Sequence, residues 1–287
     1  ADMINKFIQN DYPLKARLDA GVSELGYNPQ AYTQMAELGL IGALFDEDIG
    51  GFGGGGFDIA TVFTELGRGL INEPFNDTAL ASGYIFAQTG HLDWVEHIIS
   101  GTKRVALALI ENGADYDWDM PETLATAKGD GWTLAGTKTS VKFSHGADAV
   151  IVSAKIQTTT GLSLFLVKGD AAGMTQHRFQ TIDGGSACDI SLTDTPALLL
   201  GAEGGSYEIL DATAARCTLA VCAEALGLMD SIKTLTIDYL RTRQQFGTVI
   251  GKFQALQHRI AQMLLEIEQA KSAVTNAAKD LDAPTDE

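Results

Sequence analysis

The chain has 287 residues, of which 45% are hydrophobic and 20% charged, so it is neither a disordered nor a collagen-like chain. Its 20 basic and 37 acidic residues give a formal net charge of −17, which argues against a nucleic-acid-binding protein and against binding to anionic membranes. The three cysteines match no metal or redox spacing, so they predict neither a disulfide framework nor a metal site and favour a cytoplasmic protein. No apolar run approaches the roughly 18 residues of a membrane span, and no signal peptide is visible.

The pattern of apolar residues divides the chain into three zones. Residues 1–104 show helical spacing, for example over 29–44, and predict an N-terminal helical domain. Residues 105–200 contain short β-branched and aromatic runs separated by glycine turns, with no helical pattern between them, and predict a middle β-barrel or sandwich without βαβ units. Residues 201–287 return to helical spacing and predict a C-terminal helical bundle that is incomplete. The fold class is therefore α+β and multidomain.

Apolar residues near the C-terminus follow a heptad pattern, stepping by three and four residues over three repeats. They are Phe253, Leu256, Ile260, Met263, Ile267, Ala270 and Val274. We expect a bundle helix here, and a subunit interface on the same seam is compatible with it. Upstream, Glu224 lies among small residues that permit close helix approach and so allow it to be buried and paired; we expect a structural rather than a catalytic role for it.

Two segments match ligand motifs only in part. Residues 51–56 satisfy the dinucleotide pattern G-x-G-x-x-G, but they follow a helix and a turn, and the carboxylates of residues 46–48 would repel a phosphate. We interpret them as an interhelical turn. Residues 115–119 resemble the start of a calcium loop, yet Met120 and Thr126 stand where that loop needs glycine and glutamate. These residues therefore predict a solvated acidic turn.

The most specific chemical pattern lies in residues 241–254, at the end of a long predicted helix. The planar guanidinium of Arg243 suits a diphosphate, and the ring of Phe246 suits packing on another aromatic ring. Gln245 and Gln254 add amide groups that can donate or accept hydrogen bonds. The segment predicts a nucleotide site, with a simple helix–turn–helix as an equally weighted alternative.

Residues 239–247 and 250–259 strongly resemble the acyl-CoA dehydrogenase family. The resemblance continues in all three zones, at residues 37–42, 65–68, 129–138, 161–167 and 223–227. Together these segments most resemble the small-subunit type of the family, such as the small subunit of pimeloyl-CoA dehydrogenase.

This resemblance implies an FAD-linked enzyme that oxidises the α,β-bond of an acyl-CoA thioester and passes electrons to electron-transferring flavoprotein. It also implies a tetramer with FAD at a subunit interface, where one subunit reaches the diphosphate and adenosine end of its neighbour's FAD. Carried over to this sequence, that role belongs to Arg243, Gln245, Phe246, Phe253 and Gln254.

Three departures from the family pattern concern the flavin and the catalytic base. Residues 110–112 read Ile-Glu-Asn where the family has Thr-Glu-Pro, and residues 140–142 read Ser-Val-Lys where it has Trp-x-Thr. Cys217 stands where one branch of the family carries its catalytic carboxylate, and the other branch carries it beyond the position of residue 287. No catalytic residue is therefore assigned in this chain.

Three hypotheses follow from the resemblance and its departures. The chain is the small subunit of a heteromeric acyl-CoA dehydrogenase whose large subunit carries the base. Alternatively, it forms a self-sufficient homo-oligomer whose base lies beyond residue 287, or it is a non-catalytic scaffold or acyl-CoA-binding subunit. The type of acyl chain stays open at this point.

Overall fold

A computed structural model describes residues 2–114 and 117–283. The N-terminal part is helical and contains a π-helical segment at Phe75–Ala81. Its α-helices are α1 (Asp2–Asn10), α2 (Leu14–Gly21), α3 (Pro29–Glu37), α4 (Gly56–Arg68), α5 (Ser82–Gln88) and α6 (Leu92–Ile99).

The helix predicted over residues 29–44 is shorter than expected. It ends at Glu37 because Gly39 adopts a left-handed backbone (φ 84°), and Gly42–Leu44 forms a separate 3-10 turn. The glycine-rich segment that follows is an interhelical turn, as predicted. Gly50 and Gly54 both have φ of 90°, a value that favours glycine, and α4 begins at Gly56.

The middle part is a seven-stranded sheet that closes on itself. Its strands are β1 (Val105–Ala108), β2 (Leu124–Lys128), β3 (Gly131–Lys142), β4 (Ala149–Ile156), β5 (Leu162–Lys168), β6 (Met174–Gln180) and β7 (Ser186–Leu200). Their order is β1-β4-β2-β3-β7-β5, and β5 also pairs with β4, which closes the barrel. β6 pairs with β7 outside this ring, and β4 pairs in parallel with both β1 and β2.

Strands β4 and β5 are buried on both faces, which explains their continuous apolar sequence. Val152 and Phe165 belong to the core inside the barrel. Ile151 and Leu164, one position along each strand, belong instead to the large core shared with the helices. The helical domains therefore pack against the outer face of the barrel.

The C-terminal part consists of α7 (Tyr207–Thr242), the short strands β8 (Gln244–Gln245) and β9 (Thr248–Val249), and α8 (Gln254–Leu281). Helices α4 and α7 touch through their backbones. A Cβ atom added at Gly67 would lie 2.0 Å from the carbonyl oxygen of Glu224, and one at Gly227 would lie 2.0 Å from that of Thr64. The small residues around Glu224 thus permit the close approach that the sequence predicted.

The heptad seam of α8 is buried only in its second half. Ile267 and Val274 are buried against the helical core, whereas Phe253 at the start of the seam is 39% exposed. By length and mean hydropathy, α7 alone among the described helices is long and apolar enough to cross a membrane. It packs against α4 and α8, and Asp230 on it forms ion pairs with Arg68 and Lys233.

Candidate functional site

The predicted nucleotide-binding residues lie on a tight β-hairpin between α7 and α8. Gln244 pairs with Val249 and Gln245 with Thr248, so the loop contains only Phe246 and Gly247. These two residues have φ of 54° and 76°, and two consecutive positive φ angles are typical of the type I′ turns that suit two-residue hairpins. The two helices are therefore connected by a short hairpin, and this geometry is compatible both with the predicted nucleotide site and with a purely structural connection.

Arg243 stands at the base of this hairpin with its side chain exposed. Its backbone N–H donates to the carbonyl of Tyr239 (2.8 Å), and its own carbonyl accepts from the N–H of Ile250 (2.9 Å). Both bonds hold the backbone, whereas the guanidinium has no ion-pair partner within residues 2–114 and 117–283. A guanidinium held this way is available to a diphosphate.

The aromatic and amide residues of the prediction lie on the same hairpin and at the start of α8. Phe246 at the hairpin tip is 90% exposed and meets Phe253 edge to face, with ring centroids 6.1 Å apart. Gln245 on β8 and Gln254 at the start of α8 are both exposed. All five predicted residues are exposed on the hairpin or at the start of the helix that follows it, and we call this group the hairpin surface (Arg243, Gln245, Phe246, Phe253 and Gln254). Its donor set and exposed rings fit the ADP half of FAD.

The two segments expected to lie along the flavin are neighbours in the structure. The N–H of Thr139 donates to the carbonyl of Ile110 (2.9 Å), which joins the end of β1 to β3. Ser140 has a φ of 56° and sits at a break in the β3–β7 register, and its N–H donates to Asp189 (3.0 Å). Val141 is buried in the barrel, so Ser140 and Lys142 on either side of it are exposed. This surface carries a hydroxyl and an ammonium group in place of an aromatic ring.

A buried ion pair between Glu111 and Lys138 lies next to this surface. Glu111 accepts hydrogen bonds from Lys138 Nζ (2.7 Å), from the hydroxyl (2.6 Å) and N–H (3.1 Å) of Thr123, and from the N–H of Glu122 (2.7 Å). Lys138, only 1% exposed, also donates to Ser153 Oγ (2.9 Å). Sequence reasoning missed this network, and its one available signal was a lysine within the β3 pattern.

Burial and hydrogen bonding act in opposite directions on the two partners. Burial lowers the pKa of Lys138 to about 8, against the attraction of Glu111. Burial also favours a raised pKa for Glu111, but the hydrogen bonds from Lys138 and Thr123 outweigh it and hold the pKa of Glu111 below its ordinary value. The carboxylate form of Glu111 is thus the one that the fold stabilises.

Neither Cys217 nor Glu224 is placed as a paired or catalytic group. Burial raises the pKa of the Cys217 thiol to about 12, so the thiol is neutral and cannot act as a carboxylate base would. The small neighbours of Glu224 allow it to be buried and paired, and the structure shows burial only in part. Its side chain is half-buried, and no described residue forms an ion pair with it, because it lines a recess while its backbone faces Gly67.

The calcium-loop segment lies partly outside the described residues, since residues 115 and 116 are not among them. In the part of the chain that the structure describes, no group of three or more His, Cys, Asp and Glu side chains is arranged to hold a metal ion.

Comparison with known proteins identifies the whole arrangement. The models of the N-terminal, middle and C-terminal domains of acyl-CoA dehydrogenases match residues 1–90, 106–195 and 210–287. The short-chain-specific acyl-CoA dehydrogenase of Megasphaera elsdenii is 28% identical, over 94% of this chain and 78% of that protein. The caffeyl-CoA reductase–Etf complex subunit CarC of Acetobacterium woodii is 29% identical, over 91% of this chain and 73% of that protein.

A solved structure agrees with the sequence relatives. The steroid ACAD variant Tcur3481-Tcur3483 superposes with a TM-score of 0.85 and 30% identity, covering 98% of this chain and 77% of that one. The predicted order of helical, β-barrel and helical parts is the fold of these proteins. The chain therefore belongs to the acyl-CoA dehydrogenase family, FAD-dependent oxidoreductases that act on CH–CH bonds.

Proposed function

We propose that this chain is the small subunit of a heteromeric acyl-CoA dehydrogenase. In this proposal its hairpin surface completes the FAD site of a neighbouring large subunit, and the large subunit supplies the carboxylate that removes the α-proton of the acyl-CoA thioester. FAD held at this site would supply the acceptor for the β-hydride. Electron-transferring flavoprotein is the proposed acceptor, and the relative from Acetobacterium woodii, named as a subunit of a reductase–Etf complex, supports this choice.

The exposure of the hairpin surface is the observation that carries the proposal. Phe246 is 90% exposed at the tip of a two-residue turn, and the guanidinium of Arg243 has no ion-pair partner in the described part of the chain. A diphosphate bound there would touch this chain on one side only. A second chain must therefore cover the other side, as it does when FAD binds at a subunit interface.

An exposed apolar stripe on α7 supports the same conclusion. Ile232, Leu235 and Tyr239 are 57%, 71% and 57% exposed, and their spacing of three and four residues places them on one face of the helix. The stripe leads along α7 directly to the hairpin. A continuous apolar surface of this kind marks a protein–protein contact.

Cys217 supports a partner that carries the base. It occupies the position of the catalytic carboxylate in one branch of the family, and its neutral thiol offers no negative charge to a substrate proton. In a complex of two different subunits, one chain can provide the hairpin that binds FAD and the other can provide the catalytic base.

The FAD content of the purified protein tests the proposal. We expect little FAD in the chain expressed alone and about one FAD per pair of chains when it is co-expressed with a large subunit of the family. One FAD per chain in the protein expressed alone would overturn the proposal in favour of a self-sufficient homo-oligomer. Absence of FAD from the co-expressed complex would instead favour the non-catalytic scaffold.

A further inference from the structure

A cavity in two connected parts lies beside α7, away from the hairpin surface. Its wide part has a volume of about 460 Å³ and lies between α2 and α7. Its narrow part has a volume of about 100 Å³ and reaches the end of β3, and we call this part the recess beside α7. The two parts share Ile71, Asn72, Asp183 and Glu224, so one molecule can extend through both.

The walls of the wide part are mostly apolar. Leu14, Leu18 and Val22 are four residues apart, so they lie on one face of α2, and each is about half exposed or more. Leu70 and Ile182 line the same part and are also exposed. A group of exposed apolar side chains around a cavity of this size suits the apolar body of a small molecule.

Arg17 is the basic side chain of the wide part. It is half-buried, and its Nε is buried and donates to no acceptor within residues 2–114 and 117–283. The carboxylate of Glu73 attracts the guanidinium, yet the two charged groups lie more than 4 Å apart. A buried donor without an acceptor is unfavourable, and an anionic group on a bound molecule would supply that acceptor.

The recess beside α7 has the opposite charge. It is lined by four carboxylates and one ammonium group, those of Glu73, Asp77, Asp183, Glu224 and Lys142. Burial raises the pKa of Asp77 and of Glu224, while Lys142 favours the charged form of both. Yet Lys142 Nζ lies within 4 Å of no carboxylate among the described residues. The recess therefore carries an excess of negative charge that no direct ion pair neutralises.

Glu73 shows independently that a donor is missing from the recess. It is 6% exposed, and its Oε1 accepts from the hydroxyl of Tyr12 and from the N–H of Asn28 (3.2 Å). Its Oε2 is buried and accepts no hydrogen bond in the part of the chain that the structure describes. The volume of the recess is roughly that of three water molecules at about 30 Å³ each, which is enough for an ammonium group.

We propose that this cavity binds a zwitterion whose ammonium group and anionic group are joined by an apolar body. The ammonium group enters the recess, where its three donors meet Glu73 and Glu224. The anionic group pairs with the guanidinium of Arg17, and the apolar body lies along α2. A molecule with only one of the two charges leaves the other end of the cavity unpaired. The site uses neither FAD nor the hairpin surface, so it is separate from the proposed function.

Calorimetric titration of the full chain with three series of matched length tests the proposal. The series are ω-amino carboxylic acids, alkylamines and alkyl carboxylic acids, each from butyl to octyl. We expect the best ω-amino acid to bind at least about tenfold more tightly than the amine and the carboxylic acid of equal length. Equal or tighter binding of either singly charged series at every length, or no binding by any series, would overturn the proposal.

Two variants test the two ends of the cavity separately. Arg17→Met removes the guanidinium and should abolish the advantage of the ω-amino acid over the amine, while binding of the amine persists. Glu224→Gln keeps the shape of the side chain and should reduce the advantage over the carboxylic acid. The matched controls Lys15→Met and Glu208→Gln change exposed charges on the same two helices and should alter neither.

The folding of the variants is checked by their melting temperatures. If Arg17→Met is unstable, Arg17→Lys, which keeps the charge without the planar guanidinium, should retain part of the advantage over the amine. Folded Arg17 and Glu224 variants that discriminate like the wild type would refute the proposal. The FAD content of an assembly with a large subunit should be the same for all these variants, so a failure of the proposed function would leave this test unaffected.

Discussion

Lys138 and Glu111 form an ion pair of 2.7 Å in the barrel wall, where their side chains are 0% and 8% exposed. Glu111 belongs to the segment 110–112, and Lys138 lies two residues before the segment 140–142. The pair therefore ties together the two stretches of backbone that are expected to face the flavin. It thereby fixes the position of the two stretches relative to each other.

Replacing one member of this pair should destabilise the fold strongly. We expect Lys138→Met to cost about 3–5 kcal/mol, because Glu111 would keep a buried charge without its counter-ion. Urea denaturation measures the loss. The double variant Lys138→Met with Glu111→Leu should recover part of it, and Lys128→Met on an exposed strand position should change little. A loss below 1 kcal/mol for Lys138→Met would show that the pair contributes no more than a surface contact.

The same pair predicts a stability loss in acid. The pKa of Glu111 in the folded protein lies below its ordinary value of 4.5, so its contribution to the free energy of unfolding is fully present above about pH 4.5. The contribution is lost as the pH falls through the folded pKa. In denaturation curves taken from pH 7 to pH 3, the difference between the wild type and Glu111→Gln should therefore shrink below pH 4.5. A difference that stays constant over that range would contradict the assignment.

Arg243→Ala should weaken FAD binding in the assembled oligomer. Loss of a charge-assisted contact to a phosphate costs about 1.5–3 kcal/mol, which is roughly 10- to 150-fold in the dissociation constant. Titration of the FAD-free assembly with FAD measures it. Arg241→Ala serves as the matched control, because Arg241 is also exposed and lies two residues earlier, in the last turn of α7. Equal affinity of the wild type and Arg243→Ala for FAD would show that Arg243 does not contact the cofactor.

Phe246→Asn should show whether the Phe246 ring contacts FAD, because it removes the ring and keeps the shape of the hairpin. Asparagine before Gly247 suits the turn better than phenylalanine at a φ of 54°, so the hairpin should be as stable as before or more so. Loss of the ring should nevertheless weaken FAD binding by about 0.5–1.5 kcal/mol, or roughly 2- to 10-fold. Phe246→Tyr, which keeps the ring, should bind FAD like the wild type. Full affinity of Phe246→Asn would mean that the ring does not touch the cofactor.

Gly67→Ala should disturb the contact between α4 and α7. The new Cβ would lie 2.0 Å from the carbonyl oxygen of Glu224, so the helices must separate, at a cost of about 1–3 kcal/mol or more. Thermal denaturation measures the effect. Gly131→Ala is the control, since the nearest atom to its added Cβ is 4.0 Å away. Equal melting temperatures of the two variants would show that α4 and α7 can move apart freely.

Sequence reasoning predicted those features that depend on local pattern. The continuous apolar runs within β4 and β5 predicted buried strands, and the heptad of α8 predicted a helix whose second half is buried. β7 escaped notice because polar residues alternate with apolar ones along its 15 residues, and two of its three pairing partners, β3 and β5, lie far away in the chain. The same reason hid the ion pair of Lys138, since 27 residues separate it from Glu111.

The candidate site was predictable in one part and not in the other. The residues of the hairpin surface are close in sequence, so their chemistry could be identified together. The recess beside α7, in contrast, is lined by Asp77, Lys142, Asp183 and Glu224 from four distant segments, and no spacing in the sequence connects them. The close contact of Gly67 with the backbone of Glu224 likewise joins residues from two distant helices, which only the three-dimensional arrangement reveals.

The closure of the barrel also determines how the chain can fold. β7 pairs with β3, β5 and β6, so the ring stays open until residues 186–200 have been synthesised. The helical core includes Val105, Ile151 and Leu164 from the barrel wall. The surface on which the N-terminal helices pack is therefore incomplete until the barrel closes. Non-local pairing of this kind slows folding, and a ribosome-bound chain that ends before β7 exposes the apolar faces of β4 and β5. Nascent chains of this length should therefore depend on chaperones until β7 has emerged and the barrel can close.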